Sequence, residues 1–254
     1  MEAFQVMQDE NATYLLNKQL HDSGRSDFAY NIGISGHDFL RCAADLSNAI
    51  NAFKPNKYIV IETGSVSFSA TDVDDVLSGT YPVIPSHDQG IIGQLQRLPY
   101  LRLVYHQLQS FIGLNTGSND AVSAPEDKDL AGALAPSYRN DFTRLIQKMS
   151  DTAKNASVKL IILYHPEISF KNDGSLQIMT NTDYLQLFSK ACSENGVVFI
   201  DMSDKFLSEY QSQQLVPYGF SNTAVGVGHL NRDGHRMIAD VLFQVIAKDE
   251  AGVT

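Results

Sequence analysis

The sequence predicts an α/β protein with a mainly parallel sheet covered by helices on both faces, and three observations carry that expectation. Short β-branched runs alternate with amphipathic stretches along the chain, which is the pattern of strand–helix–strand units. The runs are bounded by Gly, Pro, Asn or Ser, residues that interrupt a ladder. Composition is that of a folded domain: 43% apolar and 19% charged residues, with 17 Gly and 8 Pro in 254 positions, too apolar for disorder and too poor in glycine for a fibre.

Taken in order, residues 11–21 read as an opening helix. Four strands are predicted at 28–34 (FAYNIGI), 57–63 (KYIVIET), 158–165 (VKLIILYH) and 197–201 (VVFID), each followed by a helix. After the first strand, residues 38–53 place Phe39, Leu40, Ala43, Leu46, Ile50 and Phe53 at three- and four-residue spacing, so one stripe packs on the sheet, and Pro55 stops the continuation. Later helices are predicted at 138–154, at 182–195 with Gly196 as the stop, and at 232–248. The region at about 78–137 departs from the alternation, with one apolar helix at 98–112 between polar loops, and is read as an insertion. No repeat, linker or charge block divides the chain, so residues 1–254 are expected to form one domain.

Charge and cysteine content exclude several classes of function. With 29 acidic against 19 basic residues the net charge is −10, which opposes the electrostatic attraction that drives nucleic-acid binding. The two cysteines, Cys42 and Cys192, sit in apolar helical patterns without metal-ligand spacing and read as buried thiols; no metal or organic cofactor is expected. No stretch approaches the roughly 18 apolar residues of a membrane span, and Met1-Glu2-Ala3-Phe4 has no signal-peptide character. The chain as it stands reads as soluble and unexported, while a leader or anchor ahead of it leaves the compartment open.

In an open parallel sheet, ligands collect beyond the carboxyl ends of the strands, where loops and helix N-termini converge. Three segments fall there: residues 31–38, residues 62–67 and the late loop 217–231. The last ends Gly228-His229-Leu230-Asn231-Arg232-Asp233-Gly234-His235 and opens a helix with the apolar face Met237, Ile238, Val241, Leu242 and Val245. It resembles the closing block of the SGNH (GDSL-type) hydrolases, in which a loop His followed by Asn and Gly opens the last helix and serves as catalytic base. The glycine turn after the first predicted strand is similar to that family's second block, and Gly36 occupies the place of the glycine whose N–H helps hold the oxyanion. The resemblance runs over the whole order of elements. It implies a flavodoxin-like three-layer α/β/α fold with the strand order 2-1-3-4-5, and a serine esterase acting on a small-molecule or carbohydrate acyl ester. Physical chemistry supports both roles, since a His at the mouth of such a sheet accepts a proton from a nucleophile and a backbone N–H there stabilises a developing oxyanion.

The same resemblance exposes what this sequence lacks. The Gly-Asp-Ser block and the strand before it are absent, and spacing from Tyr14-Leu15-Leu16-Asn17 puts the serine ahead of Met1, so Met1 reads as an internal methionine or late start. The absent strand belongs between 28–34 and 57–63, and its loss predicts either direct pairing of those two strands or a poorly stable fold. The third block, normally Gly-X-Asn-Asp, is here Gly64-Ser65-Val66-Ser67, so Ser65 or Ser67 is the substitute hydroxyl donor. The Asp three residues before the catalytic His is Gly226.

Each candidate also has a plainer reading. His229 is the candidate general base, the alternative being a loop histidine bonded to backbone. Gly36 and Ser65 are the oxyanion candidates, Gly36 also being suited to a tight turn. Ser35, Ser67 and Asn231 are candidate site-lining residues; Ser35 lacks a nucleophile-elbow context. His235 reads as structural or superficial rather than metal-ligating, and Asp201 and Asp204 read as helix caps. The expectation is therefore an ester hydrolase domain that is inactive over these 254 residues. A glycan- or protein-binding pseudoenzyme on the same fold is the alternative.

Overall fold

The computed structural model describes residues 6–34, 37–81, 136–220 and 224–252, with the side chains of 136–138 left aside. The chain divides into two units, one made of residues 1–80 and 135–254 and the other of residues 81–134. Everything below concerns the first. The predicted helix at 98–112, nearly all of the predicted insertion, and Ser35 and Gly36 lie outside the described residues.

The architecture is mixed α/β, with a parallel sheet between two helical layers. Strands β1 (Tyr58–Thr63), β2 (Lys159–Tyr164) and β5 (Val198–Asp201) form the sheet in the order β1-β2-β5, and β3 (Glu167–Phe170) and β4 (Leu176–Met179) form a separate antiparallel pair. In register, Ile61 lies opposite Ile162 and Leu163 opposite Ile200. Central β2 is buried from Leu160 through Tyr164, as its unbroken apolar run requires of a strand covered on both faces.

The helices are α1 (Ala12–Asp22), α2 (Phe39–Phe53), α3 (Ala70–Ser78), α4 (Pro136–Asn155), α5 (Thr182–Glu194), α6 (Ser203–Gln213) and α7 (Arg232–Glu250). Five of them fall within two residues of the sequence expectation. Their starts have a chemical cause: Asn11, Asp38, Asn181 and Asn231 each accept a hydrogen bond from a first-turn amide, satisfying donors that the helix itself leaves orphaned. On one face of the sheet, Ile161, Leu163 and Ile200 pack with Leu16 and Leu20 of α1, Phe206 of α6 and Met237, Ile238 and Leu242 of α7. On the other, Phe39, Phe68, Phe142 and Phe188 form a cluster of rings with centroids 5.2–6.3 Å apart, within the range of favourable aromatic pairs. Both thiols are free, Cys192 being buried and Cys42 half-buried.

Three sequence expectations require correction. Residues 28–34 are not a strand. Among the described residues they have no ladder partner, and Phe28, Tyr30, Ile32 and Ile34 are exposed. They do not pair with β1, which among the described residues has its ladder with β2. An alternating apolar pattern specifies a pleated surface but cannot supply the neighbour that satisfies its N–H and C=O groups. Side chains hold part of the run instead: Asn17 Nδ2 donates to the Ala29 carbonyl at 2.9 Å, the Ala29 N–H donates to Asn17 Oδ1 at 2.7 Å, and the Gly33 N–H donates to Asn31 Oδ1 at 2.9 Å. Second, β2 is followed by the β3–β4 hairpin and not directly by a helix. Third, Phe53, placed in the buried stripe of α2, is 61% exposed, because the helix ends there with Lys54 in the left-handed region.

Candidate active site

Parallel strands aim their carboxyl ends at one edge, and here that edge gathers the turn after β1, the residue after β2 and the loop 217–231. At the end of β1, the Ser65 N–H donates to Thr63 Oγ1 at 3.1 Å, and the Thr63 hydroxyl donates to the Ser65 carbonyl at 2.6 Å. The Ser67 N–H reaches Ser65 Oγ at 3.3 Å. Buried Thr63 and Val66 anchor this turn while Ser65 and Ser67 stay exposed. The Ser65 oxygen is thus occupied as an acceptor, which leaves its proton for a ligand.

The loop 217–231 folds back on itself. Tyr218 and Leu230 form an antiparallel bridge, the Gly219 N–H donates to the His229 carbonyl at 3.2 Å, and the Asn231 N–H donates to the Pro217 carbonyl at 2.9 Å. His229 is exposed between Gly228, whose φ is +94°, and buried Leu230. Asn231 closes the loop: its Oδ1 accepts from the Asp233 and Gly234 amides at 2.9 and 3.0 Å, and its Nδ2 donates to the Val216 carbonyl at 2.8 Å. The Asn that follows the His therefore caps α7. Gly234 is needed where α7 meets the loop, because a Cβ there would stand 2.3 Å from the Pro217 carbonyl oxygen.

Gly226 occupies the place where the resembling family carries an Asp. Its φ is +82°, and a Cβ would meet Phe170 Cε2 at 2.9 Å. The backbone and the β3–β4 hairpin together disfavour any side chain there.

Sequence reading missed a polar chain beneath these two segments. His165, directly after β2, places Nε2 2.7 Å from Glu62 Oε1 and Nδ1 2.7 Å from the Tyr218 hydroxyl. That hydroxyl lies 2.8 Å from the Pro166 carbonyl oxygen, to which it donates. Burial would raise the Glu62 carboxyl, but the hydrogen bond and charge of His165 outweigh it and hold Glu62 well below the usual carboxylate range. Burial pushes the Tyr218 hydroxyl up, so it remains a phenol. His235, in the first turn of α7, is fully buried; burial lowers its imidazole to about 4, with the Glu62 charge opposing. It is a core residue, in keeping with a structural reading. A usable signal existed in the sequence: Glu62 and His165 are polar groups at the ends of otherwise apolar runs.

Asp201, the last residue of β5, accepts from the Ser203 N–H at 2.9 Å and from the Ser203 hydroxyl at 2.6 Å; the N-cap position of α6 is Met202, without a side-chain cap bond, and Asp204 lies inside the first turn, so neither aspartate is the cap expected. Among the described residues no helix is long and apolar enough to cross a membrane.

No family model and no curated protein matches the chain. Among solved structures, the crystal structure of an acetyl xylan esterase, AlAXEase, is similar in fold, with a TM-score of 0.50 and 15% sequence identity over 94% of this chain and 92% of that one. At that identity the likeness speaks to the fold alone, a mixed α/β arrangement with a mainly parallel sheet.

Proposed function

We propose that this chain is the scaffold of an SGNH-type serine ester hydrolase whose substrate is a small-molecule or carbohydrate acyl ester, such as an O-acetylated xylo-oligosaccharide. The observation that carries the reading is His229, exposed on a fastened loop that opens the last helix at the carboxyl edge of the sheet. In this reading His229 takes the proton of a serine hydroxyl as the oxygen attacks the ester carbonyl, then returns it to the leaving alcohol. The Gly36 N–H and the Ser65 hydroxyl stabilise the tetrahedral oxyanion, while Ser35 and Ser67 line the cleft. The attacking serine would come from the family's Gly-Asp-Ser block, which these 254 residues do not contain, and by themselves they leave ester hydrolysis at background. No metal or organic cofactor takes part.

The test is hydrolysis of p-nitrophenyl acetate and acetylated xylan by an extended chain that carries such a strand and Gly-Asp-Ser block ahead of residue 1. Turnover by the extended chain, lowered about 10⁴- to 10⁶-fold by His229→Ala, supports the reading. Turnover indifferent to His229→Ala sinks it. One observation favours a second reading, a pseudoenzyme that binds a glycan or a protein: Gly226 and the contact with Phe170 leave no carboxylate at the family's Asp position to orient His229. Saturable binding of xylo-oligosaccharides without turnover by the extended chain decides for it.

A further inference from the structure

We infer that His165 is a positioning residue that joins the two halves of the candidate site, holding the histidine loop through Tyr218 and the serine turn through Glu62 and Gly64. The inference rests on the ester-hydrolase reading and concerns the same site.

The geometry supplies both arms. On one side, the His165 N–H donates to the Thr63 carbonyl at 3.0 Å, its Nε2 meets the Glu62 carboxylate, and its Cε1 lies 3.4 Å from where a Cβ on Gly64 would stand. The ring therefore touches the strand end and the turn that present Ser65. On the other side, Nδ1 meets the Tyr218 hydroxyl, and Tyr218 belongs to the bridge with Leu230, the residue after His229. The Gly219 N–H, one residue further, holds the His229 carbonyl. One imidazole thus stands between the candidate base and the candidate oxyanion donor. A phenol has one proton; shared between the Pro166 carbonyl at 2.8 Å and the His165 carbonyl at 3.1 Å, it leaves the Tyr218 oxygen to accept from Nδ1–H. The chain of contacts is buried: Tyr218 is 6% exposed, and the Glu62 and His165 side chains are 15% and 16% exposed. Burial of this kind makes a hydrogen-bonded chain a rigid strut when every member is satisfied.

Two near-isosteres separate the arms. His165→Gln places a donor near the Nε2 position and keeps Glu62 while losing Tyr218; His165→Asn places one near Nδ1 and does the reverse. Tyr218→Phe removes the hydroxyl and keeps the ring against Phe206, whose centroid is 5.8 Å away. Amide hydrogen exchange on the 254-residue chain is the first readout. Exchange at Gly219 and Asn231 should rise about tenfold or more in His165→Gln and Tyr218→Phe, with His165→Asn within about threefold of the parent and the Leu163 amide unchanged in all. The second readout is the His229 ring signal in a ¹H–¹³C spectrum, which should move in His165→Gln and Tyr218→Phe but not in Ile162→Val, a core change that loosens the sheet without touching the strut. Unchanged loop exchange in Tyr218→Phe, or a His229 signal that moves equally in Ile162→Val, overturns the inference. Exchange reads the coupling and ester turnover reads the chemistry. A coupled loop without turnover in the extended chain removes only the hydrolase reading; turnover with an uncoupled loop removes only this inference.

Discussion

Residues 28–34 and β2 read alike in the sequence, yet Ile162 and Leu163 of β2 are fully buried between two parallel neighbours, whereas Phe28, Tyr30, Ile32 and Ile34 are 65, 78, 38 and 62% exposed. The difference lies in what each run meets. β2 has a strand on either side and a helical layer on each face, so its backbone groups are paired and its side chains dry. Residues 28–34 have the side chains of a strand and, among the described residues, no strand to join. Apolar alternation is a demand for neighbours, and the sequence of the run cannot say whether the demand is met.

Core truncation should give the widest separation between the two runs. Leu163→Ala is expected to cost about 2–5 kcal/mol, the range for a fully buried leucine in a packed core; Tyr30→Ala should cost less than about 0.5 kcal/mol. Urea denaturation of both variants checks this, and equal losses would mean that 28–34 is packed in solution.

Acid offers a second separation, acting on the closed side of the sheet. Folding lowers the His235 imidazole from the ordinary 6.5 to about 4, so on acidification the unfolded chain takes up the proton first. Stability should therefore fall as pH drops from about 6.5 toward 4, by about 3 kcal/mol at most from this group. Glu62, held below its unfolded value, contributes stability that is present above the ordinary glutamate range and is lost further into acid. Melting temperature against pH should show a steep acid limb, and His235→Leu should flatten its upper part.

A smaller effect probes the clasp between Asn17 and Ala29 that ties down part of 28–34. Asn17→Ala removes both bonds to Ala29 and should cost about 1 kcal/mol, raising amide exchange at Ala29 while leaving β2 protected. If β2 exchange rises equally, the two runs are one cooperative unit and the contrast fails. The smallest expected effect comes from Ile34→Ser, which should leave the melting temperature unchanged within measurement and improve solubility.

Helices were legible because their signals are local: Asn11 and Asp38 mark starts, and the stripe Phe39, Leu40, Ala43, Leu46 and Ile50 marks the buried face of α2. The β3–β4 hairpin had a local signal that went unread, Asn172-Asp173-Gly174 between two short apolar alternations; Gly174 takes φ +81°, and the Gly174 N–H donates to the Lys171 carbonyl at 2.9 Å. Within the candidate site, the exposed loop histidine was legible from its motif. Glu62 and His165 carried a signal as polar groups closing apolar runs, but their link with Tyr218 did not, because the three lie far apart in sequence and only the fold sets the Tyr218 loop against the ends of β1 and β2. The capping role of Asn231 was also hidden, since the same residue type serves to line a site or to start a helix.

The contact of Gly234 with Pro217 has a bearing on protein engineering. Because the first turn of α7 rests directly on the backbone where the histidine loop begins, the two cannot be exchanged as separate parts. A graft of this loop into another α/β scaffold has to carry residues 216–238 as one cassette, and a chimera joined between the loop and the last helix should misplace the histidine even when both halves fold.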